Sequence, residues 1–419
     1  MQLTIFTGPY RVGANIGGIG LRCWELACAL SDAGVPVTLV CPPGSDTTWS
    51  RSHLAVVLFA EDTWRDIVEA STAVMTGAEA DTRVILHAYR LGRPLIAETA
   101  VPVEHLDYDR LRNSADPTDV YGEVMDQYLL QVLTADHLLA RSAVERAGLY
   151  ATLATMGRLT PQQHERSRTL DHLVSLVPIG FAAAADRTLT SSPVTAEPVE
   201  FTWSGGIWDF YDTEPVCRAL ALLRDEGQPM RVRFLYAPPA DQEVAEAARL
   251  TRIVDELGLQ DLVLRYNGRL AHSERDGLMK ATRALMCLGR PGVENQLCLR
   301  LRLRDVLLYR TPVIVDAHGA SGDWVRRLGI GLAVDTREVR QVADAMTALA
   351  SDNGLLTPCL HAIEAERSHH FFEANIGPLL DFLADRRRAA DAGSPVQTEA
   401  IERILRRRPA LAHDPLQLI

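Results

Sequence analysis

The 419-residue chain is almost without lysine: Lys280 is the only one, and every other basic side chain is arginine. Any cationic contact to a ligand must therefore come from arginine, histidine or a helix N-terminus. A basic surface is missing as well. The formal net charge is −11, which argues against a nucleic-acid partner, because phosphate contacts need a positive face. Cys23, Cys28, Cys41, Cys217, Cys287, Cys298 and Cys359 are scattered, odd in number and without a CxxC pair. Buried thiols fit that pattern better than disulfides or a zinc site. There is no run of about 20 apolar residues and hence no transmembrane helix. The N-terminal MQLTIFTGPY lacks the basic start and long apolar stretch of a signal peptide. A cytoplasmic protein is expected, with peripheral membrane contact left open. The acidic pair Asp107 and Asp109, spaced as D-x-D, reads as surface rather than as a metal motif, so no metal is expected at the site.

What is present is an alternation of strands and helices. LTIF is a strand, GPYRVGANIGGIG a glycine-rich loop, LRCWELACALSDAG a helix and VPVTLVC a second strand, with Gly34 as the helix stop signal. That βαβ unit predicts a parallel sheet. Further strands are expected at 54–59, 94–99, 137–141 and 173–180. The small, polar, proline-bearing stretch 183–199 reads as a linker. A second series has strands at 200–206, 230–239, 262–268, 284–289 and 311–316. The expected organisation is therefore a first Rossmann-like domain over 1–182, a linker, a second such domain over 200–375, and a helical segment over 376–419 packing back on the first domain. Doubly wound α/β domains bind ligands at the carboxyl ends of their strands.

Several stretches fall at such ends. In NIGGIG, Gly17, Gly18 and Gly20 open a helix after the first strand, where amide donors and the helix dipole suit a phosphate. The loop is not GxGxxG, and Cys41 rather than an acid ends the second strand, so a dinucleotide site is a weak reading. WSGGIWDFYD places Gly205 and Gly206 after another strand, followed by Trp208, Phe210 and Tyr211, which can stack on a sugar or base or simply pack the interior. YNGRL, with Arg269, can line a base pocket or be an ordinary turn. The segment GVENQLCLRLRLRDVLLYRTPVIVD is the richest. Arg300 and Arg304 share a face if it is helical, and Arg300, Arg302 and Arg304 share one if it is extended. Arginine forks suit a diphosphate, and Asp305 can accept two hydrogen bonds from a ribose diol. Glu98, Glu104 and His105, in AETAVPVEH, are the candidates for an acceptor-side base, whereas His87 reads as helix packing.

Together these segments resemble the retaining GT-B glycosyltransferases of the large nucleotide-sugar-using family 4. GGIGLRCWELACALSDAGVPVTLVCP is similar to their glycine loop, helix and second strand, and WSGGIWDFYDTEPVCRAL to the opening of their donor domain. A subgroup pattern runs Glu, five residues, Arg-x-Arg, two residues, Asp, then a helix and a Pro-Val strand. Glu294, Arg300, Arg302, Asp305 and Pro312 match it. The resemblance implies a GT-B fold and transfer of a sugar from a UDP-, GDP- or dTDP-linked donor to an acceptor hydroxyl with retention, in natural-product or surface-glycan biosynthesis, with no cofactor beyond that co-substrate. Arg300 and Arg302 are implied as diphosphate ligands, Asp305 as the ribose contact and Glu294 as a sugar contact. The commoner family pattern has two glutamates eight apart. Here Leu297 and Asp305 stand at those places, and the family's Arg/Lys pair after the first donor-domain strand is missing from GGIWDFYDTEP. The rival expectation is a degenerate relative that binds a nucleotide sugar or glycan as a partner subunit or sensor. An epimerase of similar shape would need catalytic carboxylates around the donor phosphate, and no such set is found. For Arg304, outside the matched pattern, a surface role is expected.

Overall fold

The computed structural model describes residues 2–77, 79–99, 111, 114–191, 194, 196–237, 244–266, 270–351 and 354–409. The chain divides into two compact units, Met1–Pro178 with Phe372–Ile419, and Ile179–Phe371.

The first unit is built on a seven-stranded sheet of β1 (Leu3–Phe6), β2 (Val37–Cys41), β3 (Leu54–Leu58), β4 (Ala73–Thr76), β5 (Leu95–Ala97), β6 (His137–Ala140) and β7 (Val174–Leu176). The order is β3-β2-β1-β4-β5-β6-β7 and all neighbouring pairs are parallel. Every residue of β1, β2, β4 and β6 is buried, as a sheet covered on both faces requires. The helix Gly18–Asp32 connects β1 to β2 and ends where Gly34 takes φ +86°, a left-handed turn that glycine enters without steric cost.

The second unit carries β8 (Val199–Trp203), β9 (Val232–Phe234), β10 (Val263–Arg265), β11 (Thr282–Cys287), β12 (Val313–Asp316) and β13 (Gly331–Val334) in the order β10-β9-β8-β11-β12-β13, again all parallel. Counted from its own first strand, this is the 3-2-1-4-5-6 order of a dinucleotide-binding sheet. In both units the order reverses beside the first strand, between β1 and β4 and between β8 and β11. That switch point is where an open α/β sheet leaves a crevice at its carboxyl edge.

Two parts differ from expectation. Strands β4 and β13, AVMT and GLAV, were not expected; both carry small side chains that do not stand out as an apolar β-branched run. The stretch expected as a linker begins with a helix, Ala183–Ser191, for which the alanine run has high propensity, and its Asp186 accepts a hydrogen bond from the buried Arg367 at 2.5 Å. The C-terminal segment belongs to the first unit, where Asp391 receives a bidentate pair from Arg158 at 2.7 and 2.9 Å, both side chains 1% exposed. Gln397 donates to the Leu133 carbonyl of the same unit. All seven cysteines are buried free thiols.

Candidate functional site

In the second unit, β8 runs out into Ser204–Gly206 and β11 into Leu288–Gly289, side by side at the switch point. The intervening segment is pinned. The Tyr211 amide donates to the Trp208 carbonyl at 2.9 Å, the Asp212 amide to the Leu288 carbonyl at 3.0 Å and the Arg290 amide to the Phe210 carbonyl at 3.0 Å. Glu246, 1% exposed, accepts from the Thr213 amide and hydroxyl at 2.6 Å, and burial raises its carboxyl above the usual range. Trp203 stacks on Phe234 and meets Tyr211 edge-on, with centroids 5.6 and 5.4 Å apart. Of the three aromatics, then, Tyr211 is interior packing, whereas Trp208 is 39% exposed.

Two guanidinium groups rest on this aromatic floor. Arg302 lies 4.1 Å from the Tyr211 ring centroid and Arg300 lies 5.0 Å from it and 4.4 Å from that of Phe210. Such contacts are worth about 0.5–2 kcal/mol each, the more so when desolvated. Arg300 is 6% exposed, and its fork is taken up by Glu294, with Nη2 donating to Oε2 at 2.6 Å and Nη1 to Oε1. Arg302 has no carboxylate partner among the described residues. Its Nη2 donates to the Gly206 carbonyl at 2.6 Å, and its Nη1 is buried without any partner among the described residues. A Cβ on Gly205 would sit 2.7 Å from Arg302 Cζ, so the glycine makes room for the guanidinium; one on Gly206 would sit 3.0 Å from Trp208 Nε1. Burial pushes the nearby Cys287 thiol up to about 11, with Arg302 and Arg300 acting in the opposite direction. One carboxylate thus faces two cations, and the surplus is at Arg302.

Asp305 is 1% exposed and already engaged. Arg275 Nη2 donates to it at 2.5 Å, and Arg304 approaches at 3.6 Å. Arg275 also donates to Tyr309 Oη at 2.7 Å and to the Ser204 carbonyl at 3.4 Å, and Tyr309 donates to Asp276 at 2.5 Å. In this arrangement Asp305 fixes Arg275 beneath the Ser204–Gly206 turn, and a ribose could reach it only by displacing that pair. The surface role expected of Arg304 is corrected: it is 6% exposed and donates to the Gly180 carbonyl at 3.2 Å. Arg275 and Tyr309 were not found from sequence: Arg275 lies in no motif and 30 positions from its partner Asp305, and the partners of the Tyr309 hydroxyl, Arg275 and Asp276, lie as far off in the chain.

In the first unit, Gly17 caps the helix Gly18–Asp32, and a Cβ on Gly17 or Gly18 would meet nothing, so their backbone faces open space. Gly20 is different: its Cβ would lie 2.7 Å from the Arg11 carbonyl, a packing constraint rather than a ligand contact. Glu98 accepts from Arg22 Nε at 2.6 Å, and Arg22 also donates to the Val177 and Pro178 carbonyls at 2.7 and 3.0 Å. His87 is buried in the helix Thr82–Arg90. His105, Glu104, Asp107, Asp109 and Arg269 lie outside the described residues. Among the described residues no group of three or more His, Cys, Asp or Glu side chains could hold a metal, and no helix is long and apolar enough to cross a membrane.

No family model matches the chain, and no curated protein matches it. Solved structures do. A sucrose-phosphate synthase from Thermosynechococcus elongatus aligns over 92% of this chain and 100% of its own at 14% identity and a TM-score of 0.59. Anabaena HepE in complex with UDP-glucose aligns over the same shares at 14% identity and 0.60. The α,α-trehalose 6-phosphate synthase from Burkholderia multivorans aligns over 92% and 98% at 12% identity and 0.59. The chain has the GT-B fold. At these identities the likeness speaks for the fold; the GT-B switch point of the second unit is where the free guanidinium edge of Arg302 lies.

Proposed function

We propose that this GT-B protein is a glycosyltransferase that moves a sugar from a nucleoside-diphosphate donor to an acceptor hydroxyl with retention of configuration. The observation that carries the reading is Arg302: a buried N–H without a partner among the described residues, on a guanidinium with no carboxylate among them, beside Gly205 at the β8/β11 switch point. An unpaired buried donor is costly unless a ligand satisfies it, and a phosphate oxygen does so with a charge-assisted bond. HepE binding UDP-glucose supports the ligand class. Arg302 thus takes the diphosphate role, while the fork of Arg300 stays on Glu294. The exposed backbone at Gly17 and Gly18 is proposed to take an anionic group on the first unit.

In the reaction the bond from the sugar's anomeric carbon to the diphosphate oxygen breaks, and its electron pair leaves with the nucleoside diphosphate. The acceptor oxygen forms the new bond on the same face, and its proton passes to the departing phosphate. Charge builds on the leaving group, so a preorganised cation lowers the barrier most. A proton acceptor supplied by the leaving group also suits the second unit's site, where Glu294 is tied to Arg300.

That pairing, with Leu297 38% exposed where a family glutamate would stand, favours a second reading, a binding protein without turnover. Thermal shift with UDP, GDP and dTDP tests the shared claim, since a ligand of the native state raises Tm by mass action. One of them is expected to stabilise the wild type and not Arg302→Ala; stabilisation by none rejects both readings. Hydrolysis of the matching nucleotide sugar, or transfer from it, separates the enzyme from the binder.

A further inference from the structure

Glu294 stands in the short helix Val293–Leu297, in the turn that follows β11. The next residue fixes that helix. Asn295, 1% exposed, donates from Nδ2 to Asp316 Oδ2 at 2.5 Å and to the His318 carbonyl at 3.2 Å, and Asp316 Oδ1 accepts the Gly289 amide at 2.7 Å. Glu294 is thereby held beside the ends of β11 and β12. Its side chain is 14% exposed, and its two oxygens lie on the two Nη atoms of Arg300. Arg300 has a second support. Its guanidinium carbon lies 4.4 Å from the Phe210 ring centroid and 5.0 Å from that of Tyr211, over which Arg302 also lies, at 4.1 Å. The rings hold Arg300 whether or not its partner carries a charge.

The aromatic floor thus carries two guanidiniums and one carboxylate, and the carboxylate decides whether one or two positive charges meet an anion. The difference bears on the leaving group more than on the donor. In the donor both ends of the diphosphate are esterified. The released nucleoside diphosphate has a free terminal phosphate, whose second pKa of about 6 gives it one further negative charge at pH 7. Two uncompensated cations would hold that product tighter than the donor, and binding energy that holds the product lowers no barrier and delays release.

We propose that Glu294 sets the charge of this site: paired with Arg300, it leaves Arg302 to meet the diphosphate alone, so that the nucleoside diphosphate is held loosely enough to leave. Glu294 acts here through Arg300 and is a positioning residue. The inference rests on the nucleoside-diphosphate reading, and it carries an unusual sign, because removing a carboxylate that holds a buried arginine should improve the site. Calorimetry on the full chain, with whichever of UDP, GDP and dTDP stabilises the wild type, tests it. Glu294→Gln keeps the shape and an oxygen for Arg300 but drops the charge, and should bind the nucleotide about tenfold tighter, the scale of one unit charge several ångström from another near a protein surface. Arg300→Gln leaves Glu294 unpaired beside Arg302 and should bind about tenfold weaker. The double variant Glu294→Gln/Arg300→Gln deletes the pair and restores the balance, so its affinity should lie between the two, within about threefold of the wild type. Thermal unfolding checks that each variant is folded. A Glu294 that only props up Arg300 predicts equal or weaker binding by Glu294→Gln, and either result overturns the inference. So does a double variant that binds no tighter than Arg300→Gln. These outcomes reject this inference alone, since the wild type still binds the nucleotide; binding of none of the three by the wild type rejects the nucleoside-diphosphate reading itself.

Discussion

Gly205→Ala is a sharp test because it reaches the proposed phosphate ligand without touching it chemically. Gly205 has no left-handed φ, so alanine carries no backbone penalty there, and by restricting the unfolded chain it can even add about 0.4–1 kcal/mol of stability. The new methyl carbon, however, would lie 2.7 Å from Arg302 Cζ, 2.8 Å from Nη2 and 2.9 Å from Nε. All three atoms are at the end of a flexible side chain, so Arg302 swings away and the main chain stays. Losing the Gly206 bond and part of the Tyr211 contact costs about 1–2 kcal/mol, so net stability changes little. Ligand binding is hit harder. A charge-assisted hydrogen bond to phosphate is worth about 1.5–3 kcal/mol, which is about a tenfold to hundredfold loss in affinity. Calorimetry with the nucleoside diphosphate that stabilises the wild type measures it. If Gly205 acts only through Arg302, the double variant Gly205→Ala/Arg302→Ala binds as weakly as Arg302→Ala alone. Wild-type affinity in Gly205→Ala, or two losses that simply add, would refute the reasoning.

Other expectations concern stability. Arg158→Ala leaves Asp391 buried and unpaired and should cost about 3–5 kcal/mol in urea unfolding; a loss under about 1 kcal/mol would show that the C-terminal segment is not anchored there. Gly180→Ala places a Cβ 1.9 Å from the His370 carbonyl, backbone against backbone, and should cost about 2 kcal/mol or more; an unchanged Tm would contradict the packing. His137 is fully buried, with Nδ1 on the His172 carbonyl at 2.9 Å and Nε2 on the Ser175 hydroxyl at 2.8 Å, so Nδ1 carries the proton and the ring is neutral. Burial pulls its pKa down to about 4 from 6.5. The unfolded chain therefore binds the extra proton first: stability is full above pH 6.5 and falls as pH drops toward 4, by about 3 kcal/mol from this residue. His137→Gln unfolding followed from pH 7 to 4 should lose that part of the slope; an unchanged slope would place the titration elsewhere.

The fold was legible because most strands are short apolar runs bounded by turn residues, and a buried parallel strand needs nothing more. VTLVC and VIVD were read from composition alone, while Ala73–Thr76 and Gly331–Val334 were not, being too small-sided to stand out. The site was legible only as a neighbourhood. Arg300, Arg302, Asp305 and Gly205 do gather at or beside one switch point, but the sequence carries no information on which carboxylate neutralises which arginine. That is decided by pairs distant in the chain, Asp305 with Arg275 and Gly206 with Arg302, 96 residues apart. The near absence of lysine sharpens the consequence. Each guanidinium offers five donors in a fixed plane, so once a carboxylate and a ring hold it, its remaining edge is aimed rather than free to rotate. In Arg300 that edge is spent on Glu294. In Arg302 Nη2 is bound to the Gly206 carbonyl and Nη1, beside Gly205 at the switch point, is buried with no partner among the described residues, which suits it to an incoming anion.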